Sequence, residues 1–413
     1  MRIHLSSALL LAGASALVGA GIGLSVPAVA SGAAANHVNG AANHVNGPTE
    51  DGAGLASFPH LAHIFVIMME NTSYSDLLDP SNSNTTFIQS LAQDYGLETN
   101  YYGVTHTSLP NYVAATSGST WGSNADDEAQ ADQGYFNHLN LADQLDQAGV
   151  SWKGYMESMP AVGYTGDYGD CTSGTTTSDP NCTAGGDTGT ALYVRKHNPF
   201  MQYPDIYENA QRAANVVPLT QLTTDLNSGQ VPQFAWISPN VCNDMHGGAP
   251  QCPYPSTNSL TDPHQETLFQ DGDQFLHTWV TAIMSSRAWT GNSAIFITWD
   301  EASYSAISPY GPLDNSGCCD SPVLPASPVE PSSGGGGDLA GGTLYGGGHV
   351  PMIVIARHGA RGLTDSAPAN HYSLLQTIEQ NWGLPLLGNA SDTLQVHSLA
   401  PLLVPAGGQA GRS

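Results

Sequence analysis

The stretch Ala62–Asn71, AHIFVIMMEN, is a run of apolar and β-branched residues that stops abruptly at Glu70 and Asn71. A short apolar run bounded by polar residues reads as a buried strand, here over His63–Met69. In an open α/β sheet, ligands bind just beyond the carboxyl ends of the strands. Glu70 and Asn71 fall at that position, and a carboxylate beside an amide oxygen there suits a hard divalent cation. The same residues also suit a strand running into a helix, with Asn71 or Ser73 as the cap. Taken alone, the stretch leaves both readings open.

From Ala62 onward, strand-like and helix-like segments alternate. The strand-like segments are His63–Met69, Asn100–Val104, Ser151–Met156, Gln233–Ile237, Ala294–Trp299 and Pro351–Ala356. The helix-like ones are Thr86–Tyr95, Leu141–Ala148, Leu219–Leu226, Gln274–Arg287 and Ser373–Trp382. This alternation predicts an α/β fold with a largely parallel sheet flanked by helices on both faces. It reads as a single domain over residues 55–405. Two long irregular stretches, Gly163–Thr190 and Ser303–Gly348, fall near the expected active face and are expected to lie over it; loops of that size are usually functional covers or disordered.

The ends of the chain read differently. Residues 1–30 have a basic start at Arg2, an apolar run over Leu9–Val26 and the small-residue pattern Ala28-Val29-Ala30, which together form a secretory signal. Residues 31–54 carry the heptad AANHVNG twice and read as a flexible leader, and 406–413 as a disordered tail. Composition points the same way. Charged residues are only 11% of the 413, split into 9 basic and 35 acidic, for a net charge of -26. Such a surface disfavours nucleic acid and anionic membranes. No later segment approaches the ~20 apolar residues of a membrane anchor, so the protein is expected to be extracellular. Six cysteines in a secreted chain suggest disulfides. The spacings favour Cys171–Cys182 and Cys242–Cys252 as local loops, leaving Cys318 and Cys319 to pair with each other or elsewhere.

Chemistry concentrates where strands end. In GVTHTSLPNYVAATSGST, Gly103–Thr120, a strand end is followed by His106, Ser108 and a helix opening from Asn111. A serine at a helix N-terminus is well placed to attack an anionic ester, because backbone N–H groups and the dipole favour a phosphate there; it is equally well placed as a cap. In SAIFITWDEA, Ser293–Ala302, a strand ends in Asp300 and Glu301. If this strand neighbours the one ending at Glu70, the carboxylates repel unless a cation binds between them. An all-oxygen ligand set favours Mg²⁺, Ca²⁺ or Mn²⁺ over zinc. The loop after Gln233–Ile237 offers Asn243, Asp244 and His246, and YVRKHNPF holds Arg195-Lys196, the chain's one adjacent basic pair, beside His197. His349 opens a strand and His371 a helix, without an assigned role.

In this order, MMENTSYSDLL, HTSLPNYVAATSG, RKHNPF, PNVCNDMHGG, IFITWDE and GGGHVPMIVIA with HYSLLQTIEQNWGLP resemble a secreted phosphoesterase family. It contains bacterial and fungal acid phosphatases and phosphatidylcholine-type phospholipases C, within the alkaline-phosphatase superfamily. The resemblance implies an alkaline-phosphatase-like fold and one divalent metal held by Glu70, Asn71, Ser108, Asp300 and Glu301. It implies Ser108 as nucleophile and His106, His197 and His246 lining the phosphate pocket; beside these, the rare basic pair Arg195 and Lys196 reads as an anion site or else a surface turn before Pro199, and Asn111 and Asp244 are further candidates for binding substrate. The superfamily's two-metal enzymes carry an Asp-x-x-x-His pair. Here that spacing occurs at Asp273 and His277, inside what reads as an amphipathic helix, which favours a single metal.

The expected activity is hydrolysis of phosphate esters of acid-phosphatase type through a phosphoserine, on small phosphate esters or phospholipid head groups. Cationic histidines would favour acid pH. The alternatives are a phospholipase C acting on phosphodiesters and a catalytically inactive secreted binding protein.

Overall fold

The computed structural model describes residues 60–168, 191–255, 260–303, 314–325 and 343–404. The expected signal, leader and tail, the Cys171–Cys182 pair and most of the two long loops lie outside these residues.

The strands are β1 (His63–Met69), β2 (Gly96–Tyr102), β3 (Trp152–Met156), β4 (Val216–Pro218), β5 (Phe234–Ser238), β6 (Ser293–Trp299), β7 (Val323–Pro325), β8 (Thr343–Tyr345), β9 (His349–Ala356), β10 (Thr364–Asp365) and β11 (Ala369–Asn370). The helices of eight or more residues are α1 (Thr86–Asp94), α2 (Ser108–Ser117), α3 (Leu141–Ala148), α4 (Thr220–Ser228), α5 (Pro263–Ser285) and α6 (His371–Trp382). The main sheet runs β10-β2-β9-β6-β1-β5-β3-β4, with β11 also on β2, while β7 and β8 form a separate hairpin.

The apolar run that opens the domain is the centre of this sheet. β1 lies between β5 and β6, parallel to both, with Ile67 opposite Ile237 and Met69 opposite Trp299. Phe65 to Met69 and the whole of β6 are buried, as expected of strands covered on both faces. Because β9 is antiparallel to both β6 and β2, β2 runs the same way as β6. The carboxyl ends of β1, β2, β5 and β6 therefore share one edge of the sheet. The architecture is the expected mostly parallel α/β sheet.

Three elements begin three or more residues from where the sequence places them, for identifiable reasons. β2 begins at Gly96 rather than Asn100, because a register shift between Glu98 and Tyr101 breaks the alternation that marks a strand. α5 begins at Pro263, well before Gln274. Its first turns are largely solvent-facing and show little periodicity, while Asp262 caps the helix by accepting from His264 N–H at 2.9 Å. α2 begins at Ser108, not Asn111, since Pro110 sits within the first turn, where a missing N–H costs nothing. β4, only three residues long, has no period to read.

Cys242 is bonded to Cys252 and Cys318 to its neighbour Cys319. No helix among the described residues is long and apolar enough to cross a membrane.

Burial raises two carboxyls far from the sheet edge described below. Glu379 of α6 is pushed up to about 8 and Glu98 of β2 to about 7, both chiefly by desolvation. Their folded forms hold protons that the unfolded chain releases near 4.5. The stability they contribute is full below that pH and is lost as pH rises through 7 to 8. Melting temperature is therefore expected to fall between pH 5 and 8, and Glu379→Gln, which keeps the group neutral, is expected to flatten the decline.

Candidate active site

The shared edge gathers the acids that the sequence left on separate strands. Glu70 and Asp300 end neighbouring strands, and the junction is tied twice, by Asp300 N–H to Met69 O at 3.0 Å and Asn71 N–H to Asp300 Oδ1 at 3.0 Å. Asp244, in the loop after β5, is joined through Glu70 N–H to its carbonyl at 2.9 Å. Glu70, Asp244 and Asp300 are all buried. Desolvation raises all three carboxyls well above their usual range, and Asp300 and Asp244 push Glu70 further.

Ser108 reaches this cluster from β2. Its Oγ–H donates to Glu70 Oε2 at 2.9 Å. The turn carrying it is held by contacts that only glycine permits. Gly103 and Gly347 pair through Gly347 N–H to Gly103 O at 2.9 Å, and Ala302 N–H reaches Gly347 O at 2.7 Å. A Cβ on Gly103 would lie 2.6 Å from Asp300 O, and one on Gly347 2.3 Å from Thr105 O. The Ser108 turn and the Asp300 strand end thus meet at backbone contact.

The histidines divide. His197 donates from Nδ1 to Asp244 Oδ2 at 3.1 Å and stacks on Tyr112, ring centroids 5.5 Å apart. Its Nε2 lies 3.2 Å from Glu70 Oε1 without a hydrogen bond. His246 faces His197 edge-on and its Nδ1 bonds Gly247 O at 2.8 Å. His106 is committed elsewhere: Nδ1 pairs with Glu301 Oε2 and Nε2 bonds Asp314 O. It orients Glu301 from behind rather than lining the pocket. His371 does the same for the neighbouring strand end, with Nε2 on Asp300 O at 2.6 Å. His349 lies apart, stacked on Tyr74.

Burial works against the expected cationic histidines. Burial pushes His197 well below its ordinary value, and burial together with the Lys196 ammonium pushes His246 down to about 3. Burial also lowers His106. Positive charge beside the cluster comes instead from Lys196. Burial alone would lower its ammonium, but Asp126, Tyr254 and Glu70 outweigh that and raise it. Its Nζ donates to Asp126 Oδ2 at 2.8 Å and lies 3.4 Å from His246 Nε2.

Two expected phosphate-binding groups point elsewhere. The Arg195 guanidinium is spent on Met201 O and Asp132, over the Tyr207 ring. The Asn111 amide is spent on the backbone of Val104, Thr105 and Thr107, which shapes the Ser108 turn. Asp126, Tyr112 and Tyr254 lie among the site groups and were not read from sequence. Tyr112 sits inside a recognised motif, whereas nothing local to Asp126 or Tyr254 marks them.

The donor set fits a metal ion. Glu70 Oε1, Asn71 Oδ1, Asp300 Oδ2 and His197 Nε2 are buried with no hydrogen-bond partner among the described residues. With Nδ1–H on Asp244, His197 presents a lone pair toward Glu70, so two acceptors face each other. A buried acceptor left unpaired is costly, and a cation resolves several at once. Glu70, His197 and His246 bring one donor atom each within 4.8 Å of one another. The oxygen-only expectation is thereby widened to a mixed oxygen and nitrogen set, which suits Mn²⁺ or Zn²⁺ better than Ca²⁺. The carboxylate behind His197 is the usual partner of a ligating imidazole.

The phosphoesterase family model matches residues 80–385. The chain belongs to the phosphoesterase family. Over 324 residues it is 27% identical to an acid phosphatase of Aspergillus fumigatus, covering 78% of this chain and 55% of that protein. It is 25% identical to a phosphatidylinositol-3-phosphatase of Mycobacterium tuberculosis, covering 83% of each. It is 25% identical to a non-hemolytic phospholipase C of Burkholderia pseudomallei, covering 57% of this chain and 30% of that one. The chain spans only 55% to 63% of the length of the first fungal acid phosphatases it matches. Among solved structures it is similar to a protein in the alkaline phosphatase superfamily from Vibrio parahaemolyticus, at 11% identity and a TM-score of 0.43, covering 81% of this chain and 72% of that one.

The Asp273 and His277 spacing has a structural explanation in this member of the family. Asp273 accepts from Phe87 N–H at 3.2 Å and Ile88 N–H at 2.9 Å, capping α1, and His277 packs edge-on against Phe87. Asp273→Ala is expected to cost about 1 kcal/mol in stability, measured by chemical denaturation, and to leave divalent-metal affinity unchanged.

Proposed function

We propose that this chain is a secreted, metal-dependent hydrolase of phosphate esters of acid-phosphatase type, working through a phosphoserine on Ser108. The observation that carries the reading is the Ser108 hydroxyl, at the N-terminus of a ten-residue helix and hydrogen-bonded to a buried carboxylate whose other oxygen has no hydrogen-bond partner among the described residues. Glu70, Asn71 and Asp300, with His197 as a nitrogen donor, would hold one divalent ion. Ser108 and Glu301 are the remaining members of the expected ligand set. When bound, the ion lowers the cost of a serine alkoxide and neutralises phosphate charge.

The chain's own groups do the rest. Glu70 Oε2 fixes the Ser108 hydroxyl rotamer, so Oγ is aimed before substrate arrives. The N–H groups opening α2 favour the phosphoryl oxygens, and the Lys196 ammonium, bonded to the same Asp126 carboxylate as the Leu109 amide, adds charge beside them. Oγ passes its proton to Glu70 Oε2, to which it is hydrogen-bonded, as it attacks phosphorus in line with the leaving oxygen. The Lys196 ammonium, the protonated member of the Lys196–His246 pair, gives its proton to that oxygen. Water then attacks the phosphoserine: its proton restores Lys196, Ser108 Oγ takes back the proton held by Glu70, and inorganic phosphate leaves. Secretion is inferred from the N-terminal targeting pattern.

A paired assay of a chromogenic phosphate monoester and a phosphorylcholine diester tests the reading. Monoester turnover is expected to dominate, and a diester preference would make the enzyme a phospholipase C. Ser108→Ala is expected to lose at least about a thousandfold in kcat with the melting temperature retained. Turnover near the wild-type level in that variant would remove Ser108 as nucleophile. Dialysis against a chelator is expected to abolish turnover, with recovery on adding Mn²⁺ or Zn²⁺. Full activity in metal-free buffer would remove the metal.

A further inference from the structure

The segment Asn124–Asp132, NADDEAQAD, carries four carboxylates in nine residues. It lies along the basic turn Arg195–His197 and is fastened there three times. Lys196 Nζ donates to Asp126 Oδ2 at 2.8 Å, Lys196 N–H to Glu128 Oε1 at 2.7 Å, and Arg195 Nη1 to Asp132 Oδ1 at 2.8 Å. The other oxygen of Asp126 accepts from Leu109 N–H at 2.9 Å. That amide is in the first turn of α2 and belongs to the residue after Ser108.

These two donors are the ones a phosphoryl group arriving at Ser108 needs: an N-terminal helix amide and an ammonium. Asp126 already holds both. It does so beside a cluster of acids, close enough for its charge to act on Asp300, His246 and Tyr254. Burial alone would raise its carboxyl, but Lys196 and the Leu109 amide outweigh this and hold it low, so it is an anion. A carboxylate presents two oxygens much as a phosphate presents two of its own, and charge-assisted bonds to amide and ammonium serve either.

We propose that Asp126 is a built-in competitor for the substrate's phosphate: it occupies the Leu109 amide and the Lys196 ammonium in the free protein and yields them to an incoming phosphoryl group. The proposal rests on the phosphoesterase reading above. The carboxylate fills the site when substrate or product leaves, so it weakens the binding of small anions, above all inorganic phosphate. The apparent affinity is reduced by the fraction of molecules in which the site is open. Asp126 is thus an affinity-setting residue and not part of the bond-making machinery.

Asp126→Asn tests this. The amide oxygen still accepts from Leu109 N–H, while the negative charge that holds Lys196 is gone. Inorganic phosphate is titrated calorimetrically into the metal-loaded full chain, wild type and variant, alongside monoester kinetics. The variant is expected to bind phosphate about tenfold more tightly, with KM for the monoester falling in parallel. Glu128→Ala, which loosens the segment at a point away from the phosphate, is expected to shift both in the same direction by less, and it carries the test if Asp126→Asn does not fold. Unchanged or weaker phosphate binding in folded variants, with wild-type turnover intact, overturns the inference and leaves the phosphoesterase reading standing. A wild-type protein that neither binds phosphate nor hydrolyses any ester overturns both.

Discussion

Buried negative charge is the constraint on which the site depends. Parallel strands deliver their carboxyl ends to one edge, and in this chain β1 and β6 each end in acids, while the loop after β5 adds a third. Desolvation and mutual repulsion raise Glu70, Asp244 and Asp300 well above the usual carboxylate range, and a positive charge between them would oppose that rise. The surrounding groups are arranged around that load. Asp244 orients His197 so that its free nitrogen faces Glu70, His106 backs Glu301, and His371 steadies the Asp300 backbone. Two of these histidines act on strand ends, which explains why histidines that look catalytic in the sequence are spent on positioning.

A second, opposite field meets the first at Ser108. The opening of α2 and the Lys196 ammonium both favour an anion, and the Gly103–Gly347 contact presses them against the acids. Acids on one side of the Ser108 hydroxyl and anion-favouring donors on the other are the arrangement that the proposed transfer of a phosphoryl group to Ser108 would use, since charge develops on both sides of phosphorus. Asp126 belongs to this second field. A protein with so few basic residues has little positive charge to attract substrate, and the ammonium it places at the site is already neutralised by its own chain.

Much of this was legible before the fold was known. The core strands stood out because a strand buried on both faces reads as a continuous apolar run, and β1, β3, β5, β6 and β9 lie within two residues of their expected bounds. β2 was misplaced because its bulge hides the period, and the first half of α5 because a solvated helix has little apolar pattern to read. Glu70, Asp300 and Ser108 were legible for one reason: each sits where a periodic element stops and a polar residue begins.

The linear order of residues determined the element types, the core and the strand-end positions of the acids and the serine, because these depend on local periodicity and on where it breaks. Only the tertiary structure decided which candidates share a site. Sheet order made β1 and β6 neighbours, and that brought Glu70 to Asp300 across more than two hundred residues. Side-chain direction then turned Arg195 and Asn111 to structural work and brought Asp126 in. Contacts between residues far apart in the chain carry no local period or composition, and the protonation of a buried group depends on which neighbours those contacts supply.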